Sequence, residues 1–204
     1  MIIIIGSNKG GSGKTTTATN LAVGLSMQGK EVCLVDADAQ RSASRWHEDR
    51  TNNNIVPEVT LVEKRDNISQ TITTLNDKFD YVIVDVAGRN SREMITGATV
   101  ADMIIAPHQA SQFDLDTLEE LQQQVIRIRD LNPKLMAYIY QTMASTNPSV
   151  KETERKEFFD YVSTFPELQP LESVCYYRKI YRDVISEGKS VLEHDNDLAI
   201  KEVR

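Results

Sequence analysis

The stretch Gly6-Ser7-Asn8-Lys9-Gly10-Gly11-Ser12-Gly13-Lys14-Thr15-Thr16 stands directly after the apolar run Ile2-Ile3-Ile4-Ile5 and opens a segment of helical period, Gly13 to Gln28. A strand, a glycine-rich turn and a helix in that order build an anion-binding concavity. Gly10, Gly11 and Gly13 let successive backbone N–H groups turn inward at the positive end of the helix. Ser12 and Thr16 belong to the same phosphate-cradling run. Lys14 supplies a point charge for β- and γ-phosphates, and the Thr15 hydroxyl is placed to ligate Mg²⁺, which prefers oxygen donors. The strict phosphate-loop pattern asks for glycine six positions before the lysine, and Asn8 stands there instead. A second lysine, Lys9, precedes Gly10-Gly11.

Outward from this loop, β-branched runs alternate with longer segments of helical period. The expected strands are Ile2–Ile5, Glu31–Val35, Val59–Val62, Tyr81–Val84, Met103–Ala106 and Leu135–Tyr140. Most are apolar almost throughout, which suits strands covered on both faces of a parallel sheet. The expected helices are Gly13–Gln28 with Gly29 as a left-handed cap, Arg41–Arg50, Asn67–Leu75, Ser91–Ala101, Gln112–Leu131, and one from Pro148 with Asn147 as its N-cap. This alternation predicts an α/β fold: a doubly wound, mostly parallel sheet with helices on both faces. Ligands on such sheets bind at the carboxyl ends of the strands.

Carboxylates collect at those ends. The second strand runs out into Asp36-Ala37-Asp38-Ala39-Gln40, and Asp80-Tyr81-Val82-Ile83-Val84 ends in Asp85. Asp36 and Asp38, at alternate positions, leave the strand on one side, at the rim where the phosphate loop emerges. Carboxylates beside a phosphate site repel the ligand unless a divalent cation lies between them, so a divalent cation is the expected companion of the bound phosphates here.

The combination Lys9-Gly10-Gly11-Ser12-Gly13-Lys14-Thr15 resembles the deviant Walker A motif of the ParA/MinD ATPases. The Asp36–Gln40 run resembles that family's DxDPQ signature, with Ala39 in place of proline. The resemblance implies that Lys9 reaches across a homodimer interface formed on ATP, to the partner's phosphates. Asp36 and Asp85 would hold magnesium through water, and Asp38 would position the attacking water; Lys9, Lys14 and Asp38 are thus the implied catalytic set. Gly88 is similar in place to a loop that senses the γ-phosphate. Gln141, at the end of the sixth strand, stands where relatives carry an adenine-bonding Asn. Trp46 is expected to pack rather than bind, and Ser111-Gln112-Phe113-Asp114 resembles the loop that opens the family's longest helix.

Toward the C-terminus, Tyr176 to Glu193 resembles the family segment R-x-A-Y-x-x-A-x-x-x-G-x-x-V-x-E. Arg178, Lys179 and Arg182 cluster there, and by resemblance they are expected to grip nonspecific DNA through its phosphates. The short chain is most similar to the plasmid-type (ParF-like) members. That implies a DNA-partition switch released by a ParB-type centromere-binding protein, cytoplasmic and nucleoid-associated. Positioning of a non-DNA cargo and a metabolic ATP-dependent enzyme on the same fold are the alternatives.

Composition bounds these readings. A chain of 204 residues, 40% hydrophobic, buries one substantial core, so residues 1–204 are expected to form one domain. A formal charge of −7 argues against a surface coated in basic residues, though not against a local patch. No stretch is long and apolar enough to span a bilayer, and no basic amphipathic helix ends the chain, so a membrane-bound role is not expected. Cys33 and Cys175 lack metal-type spacing and are expected to be reduced core thiols.

Overall fold

The computed structural model describes residues 1–88, 91–110 and 115–203, with no side-chain account of 115 and 116. Seven strands form one sheet in the order β3-β2-β4-β1-β5-β6-β7. They are β1 (Ile2–Ile5), β2 (Val32–Ala37), β3 (Thr60–Glu63), β4 (Tyr81–Val86), β5 (Met103–His108), β6 (Met136–Ala144) and β7 (Gln169–Tyr176). Every neighbouring pair is parallel. The eight described helices are α1 (Lys14–Met27), α2 (Ser42–Asn52), α3 (Ser69–Asn76), α4 (Arg92–Ala98), α5 (Leu115–Arg129), α6 (Pro148–Val162), α7 (Lys179–Ile185) and α8 (Asp197–Val203). The expected doubly wound sheet is therefore present. The expected start of the fifth helix, and the loop Ser111 to Asp114, lie outside the described residues.

Parity along the strands sorts the two cores. Ile2, Ile4, Cys33, Val35, Val82, Val84, Ala137 and Ile139 face Ile72 of α3, Met94 of α4, Leu118 of α5 and Phe158 of α6. Ile3, Ile5, Leu34 and Ile83 face Ala18, Ala22 and Val23 of α1 and Trp46 of α2. All four β1 residues are buried, as a strand covered on both faces requires. Trp46 packs, as expected, and its Nε1 donates to the Lys189 carbonyl at 3.1 Å.

Helix ends follow the local chemistry. Gly29, at φ +77°, closes α1, with Lys30 N donating to Leu25 O and Gly29 N to Ser26 O, the paired bonds of a Schellman cap. Asn147 Oδ1 accepts from Ser149 N at 3.0 Å, and Pro148 fills the first turn of α6. Cys33 is buried and Cys175 half-buried, and neither is in a disulfide. Burial pushes their thiols up, to about 12 and about 11.

Candidate functional site

The chain leaves β1 between β4 and β5, and the carboxyl ends of β2, β4 and β1 bring the rim residues together. Gly13 takes φ +91° and hands the chain into α1; Gly11 takes φ +71°. A Cβ on Gly10 or Gly11 would meet nothing within 4 Å, so these two form the open mouth of the cradle. The loop is braced from beneath. The Ser7 and Ser12 hydroxyls pair at 2.8 Å, and Thr142 on β6 donates to Ser12 O at 2.8 Å.

Lys14 Nζ folds back onto the carbonyl of Lys9 at 2.8 Å, so the two lysines of the motif share one turn. Burial lowers the Lys14 pKa, against the opposing pull of Asp85 and Asp38, which places both carboxylates within electrostatic reach of the ammonium. Thr15 Oγ1 donates to Asp85 Oδ2 at 2.7 Å. The other oxygen, Asp85 Oδ1, is buried and has no hydrogen-bond partner. Burial pushes the Asp85 carboxyl up to about 7; the Thr15 hydrogen bond opposes this and nearby Asp36 and Asp38 add to it. A divalent cation beside Thr15 would reverse that penalty. An all-oxygen set of one hydroxyl and one carboxylate, completed by phosphate and water, matches the way Mg²⁺ is held. The residues fit the ion.

Asp36 has a different surrounding. It is fully buried; its Oδ2 accepts from Ser44 N at 2.8 Å and Ser44 Oγ at 2.6 Å, and its Oδ1 from Asp38 N at 3.1 Å. Arg65 reaches its backbone carbonyl. Asp36 thus anchors the first turn of α2, and both of its oxygens already have protein donors. Asp38 is half-buried in the turn that follows, accepting from Gln40 N at 2.8 Å. Gly88, after β4, lies over the cradle: a Cβ there would stand 3.9 Å from both Gly10 N and Lys14 Nζ.

Gln141 does not join this group. Its position has the parity of Ala137 and Ile139, so it faces α6, and its Nε2 donates to Glu154 at 3.3 Å. Thr142, the next residue, faces the loop. A groove of ≈ 330 Å³ instead runs from Gly13, Thr16 and Thr17 past Met143 to Tyr176 and Arg178. The sequence reading missed it, because the unforeseen strand β7 forms its far side.

The basic cluster also divides. Arg178 turns inward, its Nε donating to Glu202 at 2.7 Å. Lys179 is exposed and pairs with Asp183 at 3.4 Å, and Arg182 is exposed. All three line the groove beside Gly13. Among the described residues no helix is long and apolar enough to cross a membrane.

A parallel doubly wound sheet, a Lys9-bearing glycine loop opening α1 and a threonine–aspartate pair at the rim define a P-loop ATPase of the deviant Walker A class, whose rim suits ATP and a divalent cation. The model of the family described as ATPase MipZ matches residues 1–160, and the chain belongs to that family, within the ParA/MinD group. It is 26% identical to the maintenance of carboxysome distribution protein A of Halothiobacillus neapolitanus, over 94% of this chain and 86% of that one. It is 31% identical to an ATP-binding protein of Methanocaldococcus jannaschii, over 59% of this chain and only 58% of the relative's length. In fold it is similar to a Borrelia burgdorferi B31 protein assigned to plasmid partition and bound to AMPPNP, with TM-score 0.74, 22% identity, and 99% and 94% of the two chains covered.

Proposed function

We propose that this chain is a dimerising ATPase switch for DNA partition. Two protomers close on Mg-ATP, the dimer rides nonspecific DNA, and a ParB-type partner releases it by stimulating hydrolysis. The observation that carries the reading is the position of Lys9. It sits on the cradle's own turn, with its carbonyl on Lys14 Nζ, at the open mouth formed by Gly10 and Gly11. That location supports a role in which the Lys9 side chain reaches a triphosphate facing it from a second copy.

In the reaction we propose, the N–H groups of Gly10 to Thr16 and the Lys14 ammonium hold the β- and γ-phosphates, and Thr15 and Asp85 would hold Mg²⁺, the carboxylate through water. Asp36, expected from the resemblance to do the same, acts instead by fixing α2 and adding negative charge to the rim. Mg²⁺ held there would neutralise charge on the phosphates. Asp38 orients the water whose oxygen bonds to the γ-phosphorus as the bond to the β,γ-bridging oxygen breaks. Lys9 and Lys14 stabilise the charge that gathers on the leaving ADP. The base lies along the groove toward Tyr176 and Arg178, away from Gln141. The DNA contact expected of the basic cluster then falls to the exposed Lys179 and Arg182, with Arg178 kept for the groove.

Retention on nonspecific DNA tests the switch. Retention with ATP or a nonhydrolysable analogue, absent with ADP and falling steeply with salt, is the expected pattern. Retention that ignores the nucleotide would contradict it. A second reading, the positioning of a non-DNA cargo, is favoured by the near full-length alignment with the carboxysome-distribution protein. It predicts the same DNA retention but no stimulation by a centromere-binding partner.

A further inference from the structure

The last described helix, α8, meets the far wall of the groove through the side chain of Glu202. The Glu202 side chain is 7% exposed. Its Oε1 accepts from Arg178 Nε at 2.7 Å, and its Oε2 accepts from the Tyr181 hydroxyl at 2.9 Å and from Tyr176 N at 3.2 Å. Three donors from β7, α7 and the turn between them therefore converge on a single carboxylate of α8. Arg178 also lies over the Tyr176 ring, 5.7 Å from its centroid. Arg178, Tyr176 and Tyr181 all line the ≈ 330 Å³ groove, and Glu202 lines a smaller cavity of ≈ 160 Å³ that shares Thr16, Thr17, Cys175 and Tyr181 with it.

We propose that Glu202 is a positioning residue for the nucleoside end of ATP and ADP: it fixes Arg178 and Tyr181 as the groove's outer wall, so that nucleoside occupancy and the docking of α8 stabilise one another. A guanidinium held by a carboxylate on one edge, and lying over an aromatic ring, is pre-oriented to present its plane to a purine. Without Glu202 the arginine would have to be ordered by the ligand itself, at a cost in affinity. Linkage makes the effect reciprocal: whatever orders the wall favours docked α8, and docked α8 favours the nucleotide. α8 also packs against β7, the 191–193 turn and α1. The Tyr181 hydroxyl also reaches Ala199 O at 3.4 Å, and Ala199 packs in a small cluster with Tyr181, Val184 and Val191.

The inference rests on the nucleotide site proposed above but not on dimerisation, so ADP is the probe and pyrophosphate, which lacks the nucleoside, is the control. Hydrogen exchange of residues 197–203 is expected to slow with Mg-ADP and to stay unchanged with Mg-pyrophosphate. Glu202→Gln is expected to weaken ADP by about tenfold, the loss of one charge-assisted bond, while leaving pyrophosphate binding as it was. A folded Glu202→Gln protein with wild-type ADP affinity, or exchange in α8 that ignores ADP, would overturn the proposal. Should Glu202→Gln melt far below the wild type, Tyr181→Phe removes a single donor and carries the same comparison. A Lys14→Ala variant that still bound ADP normally would overturn the nucleotide site itself, and this role for Glu202 with it.

Discussion

Arg50 and Glu193 form a buried two-pronged ion pair, Nη2 to Oε1 at 2.7 Å and Nη1 to Oε2 at 2.9 Å, that ties α2 to the turn after α7. The side chains are 2% and 10% exposed. The Arg50 guanidinium also donates to the carbonyls of Pro57 and Gly188, so its charge is surrounded by acceptors. One layer in, Asn20 Oδ1 on α1 accepts from Ser190 Oγ at 2.8 Å and Val191 N at 2.9 Å. The helix that follows the phosphate loop, the helix that follows the rim aspartates and the C-terminal turn are thereby locked into one unit.

Removing one member of this pair strands the other charge in a dry site. Glu193→Ala is expected to destabilise the fold by about 3–5 kcal/mol, whereas replacing both residues by apolar ones of similar volume should recover much of that loss. Urea denaturation of the single and double variants checks this. Equal destabilisation by both would mean that the packing, not the charge, matters.

Gly188 sits against the same pair. It has φ +73°, and a Cβ there would fall 2.2 Å from Arg50 N. Gly29 has a similar φ of +77° with nothing within 4 Å of its would-be Cβ. Gly29→Ala should therefore cost only the left-handed strain, about 1–2 kcal/mol. Gly188→Ala should cost clearly more, because backbone must move as well. Paired melting curves decide; equal losses would contradict the packing account.

Asp85→Asn keeps an oxygen for the Thr15 hydroxyl but removes the charge facing the magnesium position. Magnesium affinity in the nucleotide complex is expected to fall by about 10–100-fold, read as a rightward shift in the Mg²⁺ dependence of ATP turnover. An unshifted titration would remove Asp85 from the metal site.

Asp38→Ala should separate binding from chemistry. ATP affinity is expected to persist while turnover falls by about 10²–10⁴-fold, the usual worth of a group that positions or activates a water. A parallel loss of binding would show Asp38 to be a structural member of the turn instead.

Much of the fold was legible because it is written in local pattern. The β1 run, Gly29, Asn147-Pro148 and the apolar strand ending at Asp85 each carry their own signal. Strand β7 has none: Gln169–Tyr176 is an edge strand, mixed in polarity and mostly unburied, with Pro170 within it. The missed strand explains the missed groove. Gln141 lay at the right strand end, yet a one-residue difference decides which face a side chain takes, and the strand's parity puts it with Ile139 against α6. The basic cluster reads as one patch in the sequence but divides in the fold, for another reason. The partner of Arg178 is Glu202, 24 residues away, and no local spacing announces that. The same holds for Glu193, which sequence likeness marks within a segment but which only the fold brings to Arg50.

In the proposed switch, Lys9 completes a triphosphate site belonging to a second protomer. Light scattering of the Asp38→Ala protein with Mg-ATP, with and without the further change Lys9→Ala, tests it most directly. Twice the monomer mass is expected for Asp38→Ala and the monomer mass for Asp38→Ala/Lys9→Ala, with ATP still bound in both. A dimer that persists undiminished without Lys9 would contradict it.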